Sequence, residues 1–198
     1  MALPNYTRTK RILDTVFAAV LLFLLAPVFA LASVLISLID GRPVLFRQLR
    51  PGLGGKLFWI IKFRTMGEVE EPDFIGVRST TLGKILRRFS IDEAPQLLNI
   101  LRGDMSFVGP RPLLADYLPL YSPRQAIRHN VRPGLTGLAQ VSGRNQLGWE
   151  ERFELDVAYV EHQSFLLDTK ILRRTLFVTA TGRGVRAPNS ETVAPFRG

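Results

Sequence analysis

The sequence predicts a mainly helical α+β chain that begins with a helix-break-helix re-entering one leaflet of a membrane. Three observations point to this class. Residues 15–39 are apolar and carry no charged side chain, as in a helix embedded in lipid. Residues 44–64 hold two β-prone runs around a glycine-rich turn, which predicts a small β-hairpin. Residues 150–184 show apolar and basic faces at helical spacing, as in amphipathic helices on a core or a membrane surface.

The same observations divide the chain into three parts. Residues 1–40 are predicted as the membrane helix, and residues 41–185 as a cytosolic domain with interfacial helices around its functional site. Residues 186–198 are predicted as a mobile tail. The total of 198 residues is enough for one domain with a sizeable core.

The chain is strongly basic and contains no cysteine. Lys plus Arg number 26 against 17 for Asp plus Glu, a net charge of +9, which indicates anionic partners such as nucleic acid, phosphorylated ligands or an anionic membrane surface. The absence of cysteine excludes disulfides and thiolate metal sites. Two histidines, His129 and His162, are too few for a histidine-rich metal site.

Three interpretations of the apolar run compete. A straight helix over residues 15–39 would be about 37 Å long, which exceeds a hydrocarbon core of about 30 Å and permits a full span. A cleaved signal peptide is the second interpretation, because Ala30-Leu31-Ala32 mimics a cleavage site. The third is re-entry, because Pro27 divides the run into halves of about 16–18 Å, roughly half the core thickness.

Flanking charges favour re-entry. Positive residues mark the cytoplasmic side of a membrane, and they occur on both sides of the run, so both ends are predicted on that side. These residues are Arg8, Lys10 and Arg11 before the run, and Arg42, Arg47, Arg50 and Lys56 after it. Asp14 lies one helical turn beyond Lys10 and Arg11, which predicts an ion pair on a solvated turn. Alternatively, Lys10 and Arg11 bind lipid phosphates at the interface.

The segments after the hairpin contribute basic residues. Lys62 and Arg64 share a face of the second predicted strand, either solvated or facing an anion. Gly67–Thr81 is predicted as a polar surface excursion, and residues 82–90 as a helix with Arg87 and Arg88 near its end. Residues 131–145 form a glycine-rich stretch whose backbone amides could cradle phosphates, although it is not a Walker sequence.

Two adjacent acids, Asp92 and Glu93, lie in "SIDEAPQ" and admit a structural and a functional interpretation. Ser90 and Glu93 fit a capping box, or the acids complement the dipole of a helix whose first residue is Pro95. Alternatively, Asp92 attacks a phosphoryl group to form an acyl phosphate, and its neighbour helps to hold Mg²⁺. Arginines in nearby segments would then neutralise phosphoryl oxygens. They are Arg87, Arg88, Arg111 and Arg144.

Four motifs in order resemble one known family, the small monotopic phosphoglycosyl transferases of bacterial glycoconjugate assembly. They are "KRILD" at 10–14, "KFRTM" at 62–66, "LRRFSIDEAPQLLNILRGDMSFVGPRP" at 86–112 and "RPGLTGLAQVSGRN" at 132–145. The resemblance covers about residues 8–184. It implies that a sugar 1-phosphate moves from a UDP-sugar to polyprenyl (undecaprenyl) phosphate, with release of UMP, at the cytoplasmic face of the bacterial inner membrane.

The resemblance also implies roles for individual residues. Asp92 matches the family's nucleophile, and Glu93 would assist Mg²⁺. Four basic positions would hold phosphates: Lys62, Arg87, Arg111 and Arg144. The family's re-entrant helix breaks at a proline that matches Pro27, but Ala26 replaces the usual serine before it, and Ala94 stands where leucine is common. A homodimer is compatible with the sequence.

Other functions predict different behaviour. A membrane-anchored Mg²⁺-dependent lipid diphosphate phosphatase would use a similar site but would need no lipid acceptor. A non-enzymatic lipid-binding scaffold would keep its function in Asp92→Asn. A nucleic-acid binder would explain the charge, yet the arginines are dispersed among apolar segments and no recognised binding motif occurs, so we expect no nucleic-acid partner.

Overall fold

The computed structural model describes residues 4–71, 74–143, 147–181 and 196–198. The chain is mainly helical, with a long apolar N-terminal helix and small sheets, which confirms the predicted class at that level. The helices are α1 (Pro4–Leu35), α2 (Thr81–Arg88), α3 (Leu97–Arg102), α4 (Pro123–Ala126), α5 (Leu138–Ser142), α6 (Trp149–Glu161) and α7 (Phe165–Thr181). The strands are β1 (Leu45–Pro51), β2 (Leu57–Phe63), β3 (Met66–Glu71), β4 (Phe74–Ser79), β5 (Ser106–Val108) and β6 (Gly134–Thr136).

Helix α1 packs one face on the domain and exposes the other. Ala18, Ala32 and Ile36 are buried, whereas Phe23 is 82% exposed, which is typical of a side chain that faces lipid. Within the described residues, one helix, Tyr6–Asp40, is long and apolar enough to cross a membrane. Its last turn, Ile36–Asp40, is π-helical. The helix continues through Pro27, so the predicted break is no interruption of secondary structure, and the re-entrant path stays a prediction.

The strands pair in three two-stranded sheets. β1 and β2 are antiparallel, from Leu45 opposite Phe63 to Pro51 opposite Leu57, and Gly52 N–H closes their turn on the Lys56 carbonyl at 2.8 Å. β3 and β4 are also antiparallel and occupy the segment predicted as a polar excursion. These two strands were not predicted, because charged residues in the segment obscured its strand-forming valines, isoleucine and phenylalanine. β5 and β6 are parallel, and β5 leads directly into Gly109-Pro110-Arg111-Pro112.

Two tight packing points fix helix α2 and the end of α3. Thr80 caps α2 by accepting a hydrogen bond from Gly83 N–H at 2.8 Å. A Cβ atom at Gly83 would lie 2.2 Å from the Thr65 carbonyl oxygen, so only glycine fits there. Helix α3 ends at Gly103, whose φ of +93° reverses the chain as in other glycine-terminated helices.

An aromatic cluster closes the C-terminal half of the domain. Phe196 is 9% exposed and packs against the rings of Tyr117, Tyr121, Trp149 and Phe153, with ring centroids 5.0–5.9 Å away. Residues 186–195 of the predicted mobile tail lie outside the described residues, so mobility stays a prediction there, whereas Phe196 is packed. Burial of a large aromatic ring offsets the entropy of ordering the chain end.

Candidate active site

The acid pair lies on a 3-10 helix, Ile91–Gln96, that leads directly into α3. Ser90 before it has a φ of +56°, a left-handed conformation that is uncommon for a residue other than glycine. The Ser90 side chain makes no capping hydrogen bond, and the Glu93 side chain binds two cations instead. The capping-box interpretation is therefore wrong. The alternative with Pro95 as the first helical residue is also wrong, because Pro95 lies inside the 3-10 helix.

Asn99 attaches α3 to the edge of β2 and so sets the position of the acid pair. Its Oδ1 accepts from Ile61 N–H at 3.1 Å, and its Nδ2 donates to the Trp59 carbonyl at 2.7 Å. Asn99 is fully buried, so both bonds are shielded from water. This attachment places Glu93 opposite Lys62 of β2.

Glu93 forms the centre of a three-residue ion pair. Lys62 Nζ and Arg111 Nη2 each donate to Glu93 Oε1 at 2.7 Å. Burial alone would raise the pKa of Glu93, but Arg111 and Lys62 outweigh it and hold that pKa well below its usual range. Burial and the neighbouring Arg111 together lower the pKa of Lys62. Glu93 is thus a permanent carboxylate that fixes two cations beside Asp92.

Asp92 lies in the same cationic surroundings but is not engaged by them. Its carboxylate accepts no hydrogen bond from any residue that the structure describes. Partial burial and the adjacent charge of Glu93 raise its pKa, against the opposing effect of Lys62, Arg87 and Arg111. A half-buried carboxylate without hydrogen-bond donors keeps its lone pairs for attack on an electrophile.

Of the other two predicted phosphate-binding residues, Arg87 is described by the structure and Arg144 is not. Arg87 is exposed on α2, and its Nε donates to Thr65 Oγ1 at 2.8 Å, which leaves its terminal nitrogens for a ligand. Arg144 lies outside the described residues, so its predicted phosphate contact stays a prediction. Thr65 is buried between β2 and β3 and was not predicted as a site residue; it orients Arg87 toward the acid pair.

Lys10, Arg11 and Asp14 bind protein groups near the start of α1. Lys10 Nζ lies 2.5 Å from Asp168 Oδ2 on α7 and 4.0 Å from Asp14 Oδ2. The predicted ion pair of Asp14 with Lys10 is confirmed, but Lys10 is 8% exposed and Asp14 6%, so the expectation that this turn is solvated was wrong. Arg11 donates to the carbonyls of Ile100 and Leu101 at the end of α3. The role of Lys10 and Arg11 at lipid headgroups stays a prediction.

The carboxylates of Asp92 and Glu93 suit Mg²⁺ as a ligand pair. Among the described residues, none donates a hydrogen bond to the Asp92 carboxylate, and the donor to Glu93 Oε2 is Arg111 Nη1 at 3.5 Å. Oxygen lone pairs therefore remain on both carboxylates in this part of the chain. Mg²⁺ commonly binds through one or two carboxylates plus substrate phosphates. Within the described ranges, no group of three or more acidic, histidine or cysteine side chains could hold a metal alone.

Comparison with known proteins places this site in a family. The family model described as bacterial sugar transferase matches residues 5–182. The chain belongs to the bacterial sugar transferases. This family member is 48% identical to the uncharacterized sugar transferase EpsL of Bacillus subtilis (strain 168), over 96% of both chains.

Two further relatives carry more informative names. The UDP-glucose:undecaprenyl-phosphate glucose-1-phosphate transferase of Caulobacter vibrioides is 48% identical, over 84% of this family member and 68% of the relative. The exopolysaccharide production protein ExoY of Rhizobium meliloti is 38% identical, over 88% of this family member and 87% of the relative.

Several residues that shape the site escaped the sequence analysis. Asn99 is one, and a single amide within "LLNIL" was its only signal. Arg128 and Asp156 are buried partners whose role depends on contacts between segments 28 residues apart. His129 is 9% exposed, and its pKa is lowered to about 4 by burial and the adjacent Arg128, so it is a neutral core residue at pH 7.

Proposed function

We propose that this family member transfers a sugar 1-phosphate from a UDP-sugar to polyprenyl phosphate through a covalent intermediate on Asp92. The observation that carries the proposal is the half-buried Asp92 carboxylate beside Glu93, Lys62 and Arg111, to which no residue in the described ranges donates a hydrogen bond. The names of relatives, such as the glucose-1-phosphate transferases of Caulobacter vibrioides and Escherichia coli (strain K12), support the substrate classes.

The reaction has two displacements at one phosphorus atom. A carboxylate oxygen of Asp92 attacks the phosphorus that bears the sugar, and the bond from this phosphorus to the bridging oxygen breaks, so UMP leaves with that oxygen. An oxygen of polyprenyl phosphate then attacks the same phosphorus. The bond to Asp92 breaks, which regenerates the carboxylate and leaves a polyprenyl-diphosphate sugar.

The chain's own residues supply orientation and charge for both displacements. Arg111 and Lys62 are held by Glu93 at the side of Asp92, where negative charge spreads over the phosphoryl oxygens. Arg87 and Arg144 would bind the remaining phosphate oxygens. Mg²⁺ on Asp92 and Glu93 would neutralise the diphosphate and make UMP a better leaving group. Chelation of Mg²⁺ is therefore expected to abolish transfer.

The contacts of α1 support a position on the cytoplasmic face of the bacterial inner membrane, in one leaflet. Near its start, Lys10 binds Asp168 of α7; at its end, Arg64 donates to the carbonyls of Asp40 and Gly41. Both ends therefore contact the same domain, as a re-entrant helix requires. Exposed apolar residues at both ends of α7 are consistent with an interfacial helix; they include Phe165, Leu166, Leu176 and Phe177.

Intact mass after incubation with UDP-sugars tests the intermediate. Purified protein in lipid discs with Mg²⁺ and a panel of UDP-sugars, without polyprenyl phosphate, is expected to gain the mass of one phosphosugar. Asp92→Asn should gain none and should lose turnover by on the order of 10³-fold or more. Asp116→Asn is the matched control, because Asp116 is an exposed acid in the first turn of another 3-10 helix.

The alternatives give other outcomes. UMP release only after polyprenyl phosphate is added, with no adduct, would indicate direct displacement and contradict the covalent step. Hydrolysis of a lipid diphosphate without an acceptor would indicate a phosphatase. Full function of Asp92→Asn would indicate a scaffold.

A further inference from the structure

Arg111 sits in a segment whose backbone has little freedom. Pro110 and Pro112 flank it, and each proline fixes its own φ and restricts the residue before it to extended conformations. The pairing of β5 with β6 extends to this point, because Gly109 N–H donates to the Thr136 carbonyl at 2.9 Å and Gly134 N–H donates to the Pro110 carbonyl at 2.9 Å. The position of the Arg111 side chain therefore depends on how this backbone is held.

Arg128 holds the Arg111 backbone from within the core. Its Nη2 donates to the Arg111 carbonyl at 2.8 Å and to Asp156 Oδ2 at 2.7 Å, and its Nε donates to the same Asp156 oxygen at 3.1 Å. Arg128 is 2% exposed and Asp156 4%. The guanidinium carbon also lies 5.6 Å from the ring centroids of both Tyr121 and Phe153.

A buried ion pair contributes little net stability, so its retention suggests another role. Desolvation of two charges commonly offsets their attraction, and apolar replacements of similar size are often neutral or stabilising. An apolar pair cannot, however, donate a hydrogen bond to the Arg111 carbonyl. Lysine at position 128 could keep the charge pair but lacks the planar fork that reaches Asp156 and Arg111 together.

We infer that Arg128 and Asp156 are positioning residues that hold the Arg111 backbone so that its guanidinium reaches Glu93 beside Asp92. The kinetic part of this inference rests on the proposed function, because Arg111 acts there on the transferring phosphoryl group. Arg128 itself touches no reacting atom in that mechanism. Its loss should therefore lower kcat more than it raises the KM for the UDP-sugar.

The decisive variant removes both charges at once. Arg128→Met/Asp156→Leu keeps the core apolar and should retain most of the thermal stability, whereas Asp156→Asn alone leaves a buried cation without its partner and should destabilise the fold. Despite its stability, the double variant should show kcat about 100-fold lower, the loss expected from a misplacement of about 1 Å. The kcat of Arg128→Lys should lie between that of the double variant and that of wild type.

A matched control uses an exposed ion pair between α6 and α4, the helix that directly precedes the 3-10 helix Ile127–Asn130 of Arg128. Arg124 of α4 and Glu154 of α6 form an ion pair at 2.6 Å, each with its side chain 55% exposed, and neither contacts Arg111. Arg124→Met/Glu154→Leu is expected to leave kcat and KM unchanged. A loss of activity in this control equal to that of the buried-pair variant would overturn the inference. Any altered contact between this region and α6 would then be enough to lower kcat.

Hydrogen–deuterium exchange supplies a readout independent of activity. Peptides covering residues 106–114 should exchange faster in Arg128→Met/Asp156→Leu and in Arg128→Lys than in wild type, with other core peptides unchanged. Wild-type exchange and wild-type kcat in a stable double variant would overturn the inference. If the wild-type protein transferred no sugar 1-phosphate from any UDP-sugar, this result would count against the proposed function. The hydrogen–deuterium exchange result would still decide whether Arg128 orders residues 106–114.

Discussion

Asp92 and Glu93 are chemically alike and adjacent, yet their surroundings move their pKa values in opposite directions. Glu93 accepts from Lys62 and Arg111, which hold its pKa below the usual range, whereas partial burial and Glu93 raise the pKa of Asp92. Pairs of titratable groups whose surroundings separate their pKa values commonly divide catalytic roles between them. In the proposed mechanism, Glu93 serves as a fixed anion that arranges cations, and Asp92 serves as the reactive carboxylate.

Replacement of Lys62 tests this division through the pH profile. The Lys62 cation favours the ionised form of Asp92, so Lys62→Met should raise the pKa of Asp92 further. The nucleophile is the ionised form, and the acid limb of adduct formation should therefore move to higher pH. Rates of adduct formation measured between about pH 4 and about pH 8, at intervals of about half a pH unit, would reveal the shift. Lys84→Met on the exposed face of α2 should cause none.

Glu93 also links pH to stability. Its folded pKa lies below the unfolded value, so its ionised form stabilises the fold at pH values above the unfolded pKa. That contribution should be lost progressively as the pH falls through the folded pKa. Glu93→Gln removes the ionisation, and the dependence of Tm on pH below about 4.5 should become shallower in this variant than in wild type.

At the scale of elements, the 3-10 helix Ile91–Gln96 carries the acids and leads directly into α3, whereas β2 carries Lys62. The contact of α3 with β2 therefore sets the site geometry. Asn99 joins the two by one accepted and one donated hydrogen bond to β2 backbone groups. Core packing alone would allow α3 to slide along the strand, because apolar contacts have no direction. Buried hydrogen bonds fix one register, and the ion pair of Glu93 with Lys62 depends on that register.

A graded series at Asn99 measures this attachment. Asn99→Asp keeps the acceptor for Ile61 N–H but loses the donor to the Trp59 carbonyl, whereas Asn99→Leu loses both. Two buried backbone groups without partners should lower the free energy of unfolding of Asn99→Leu by about 2–5 kcal/mol, which would be measured as a lower Tm. The Tm of Asn99→Asp should also be lower than that of wild type. A Tm of Asn99→Leu equal to that of wild type would contradict this account of how α3 is held.

At the scale of the whole molecule, α1 is a structural part of the domain and its only predicted membrane segment in the described ranges. Its start is joined to α3 and α7, its middle packs on Phe58 and Ile60 through Ala18, and its end contacts β2 through Phe63. The face that remains exposed is apolar over several turns. Insertion in lipid and completion of the core are therefore properties of the same helix.

Cysteine labelling tests the topology, since the chain has no native cysteine. Thr7→Cys and Leu53→Cys place exposed thiols in the first turn of α1 and beyond its last turn, without a change of charge. A membrane-impermeant maleimide should label both in inverted vesicles and neither in right-side-out cells. Opposite accessibility of the two positions would rule out re-entry and establish a full span.

The C-terminal end gives a second test at this scale. Burial of the Phe196 ring should contribute about 2 kcal/mol to docking of the chain end, so Phe196→Ala should lower the Tm by a few degrees. Arg197→Ala changes an exposed neighbour and serves as the control. Equal Tm values for the two variants would contradict a packed chain end.

Local patterns determined much of this protein from sequence alone. The uncharged run of α1, the strand-forming residues of β1 and β2, and the amphipathic faces of α6 and α7 depend on neighbours within a few turns or one strand, where periodicity is informative. The acid pair and the motif around it also specified the family, because several rare residue combinations occur in one order. The sequence thus predicted Asp92, Glu93, Lys62 and Arg111 as site residues, and the structure brings these four together.

Only the tertiary structure decided which charges meet. Glu93 pairs with Lys62 from 31 residues away, Arg128 with Asp156 from 28, and Lys10 with Asp168 from 158. Short-range spacing predicted a capping box for Glu93, which was wrong, and an ion pair of Asp14 with Lys10, which is present but buried rather than solvated. In both cases a partner from another element, Lys62 and Arg111 for Glu93 and Asp168 for Lys10, makes the shorter contact. Sequence periodicity records which face is apolar, whereas the partner of a buried polar group depends on how separate elements pack.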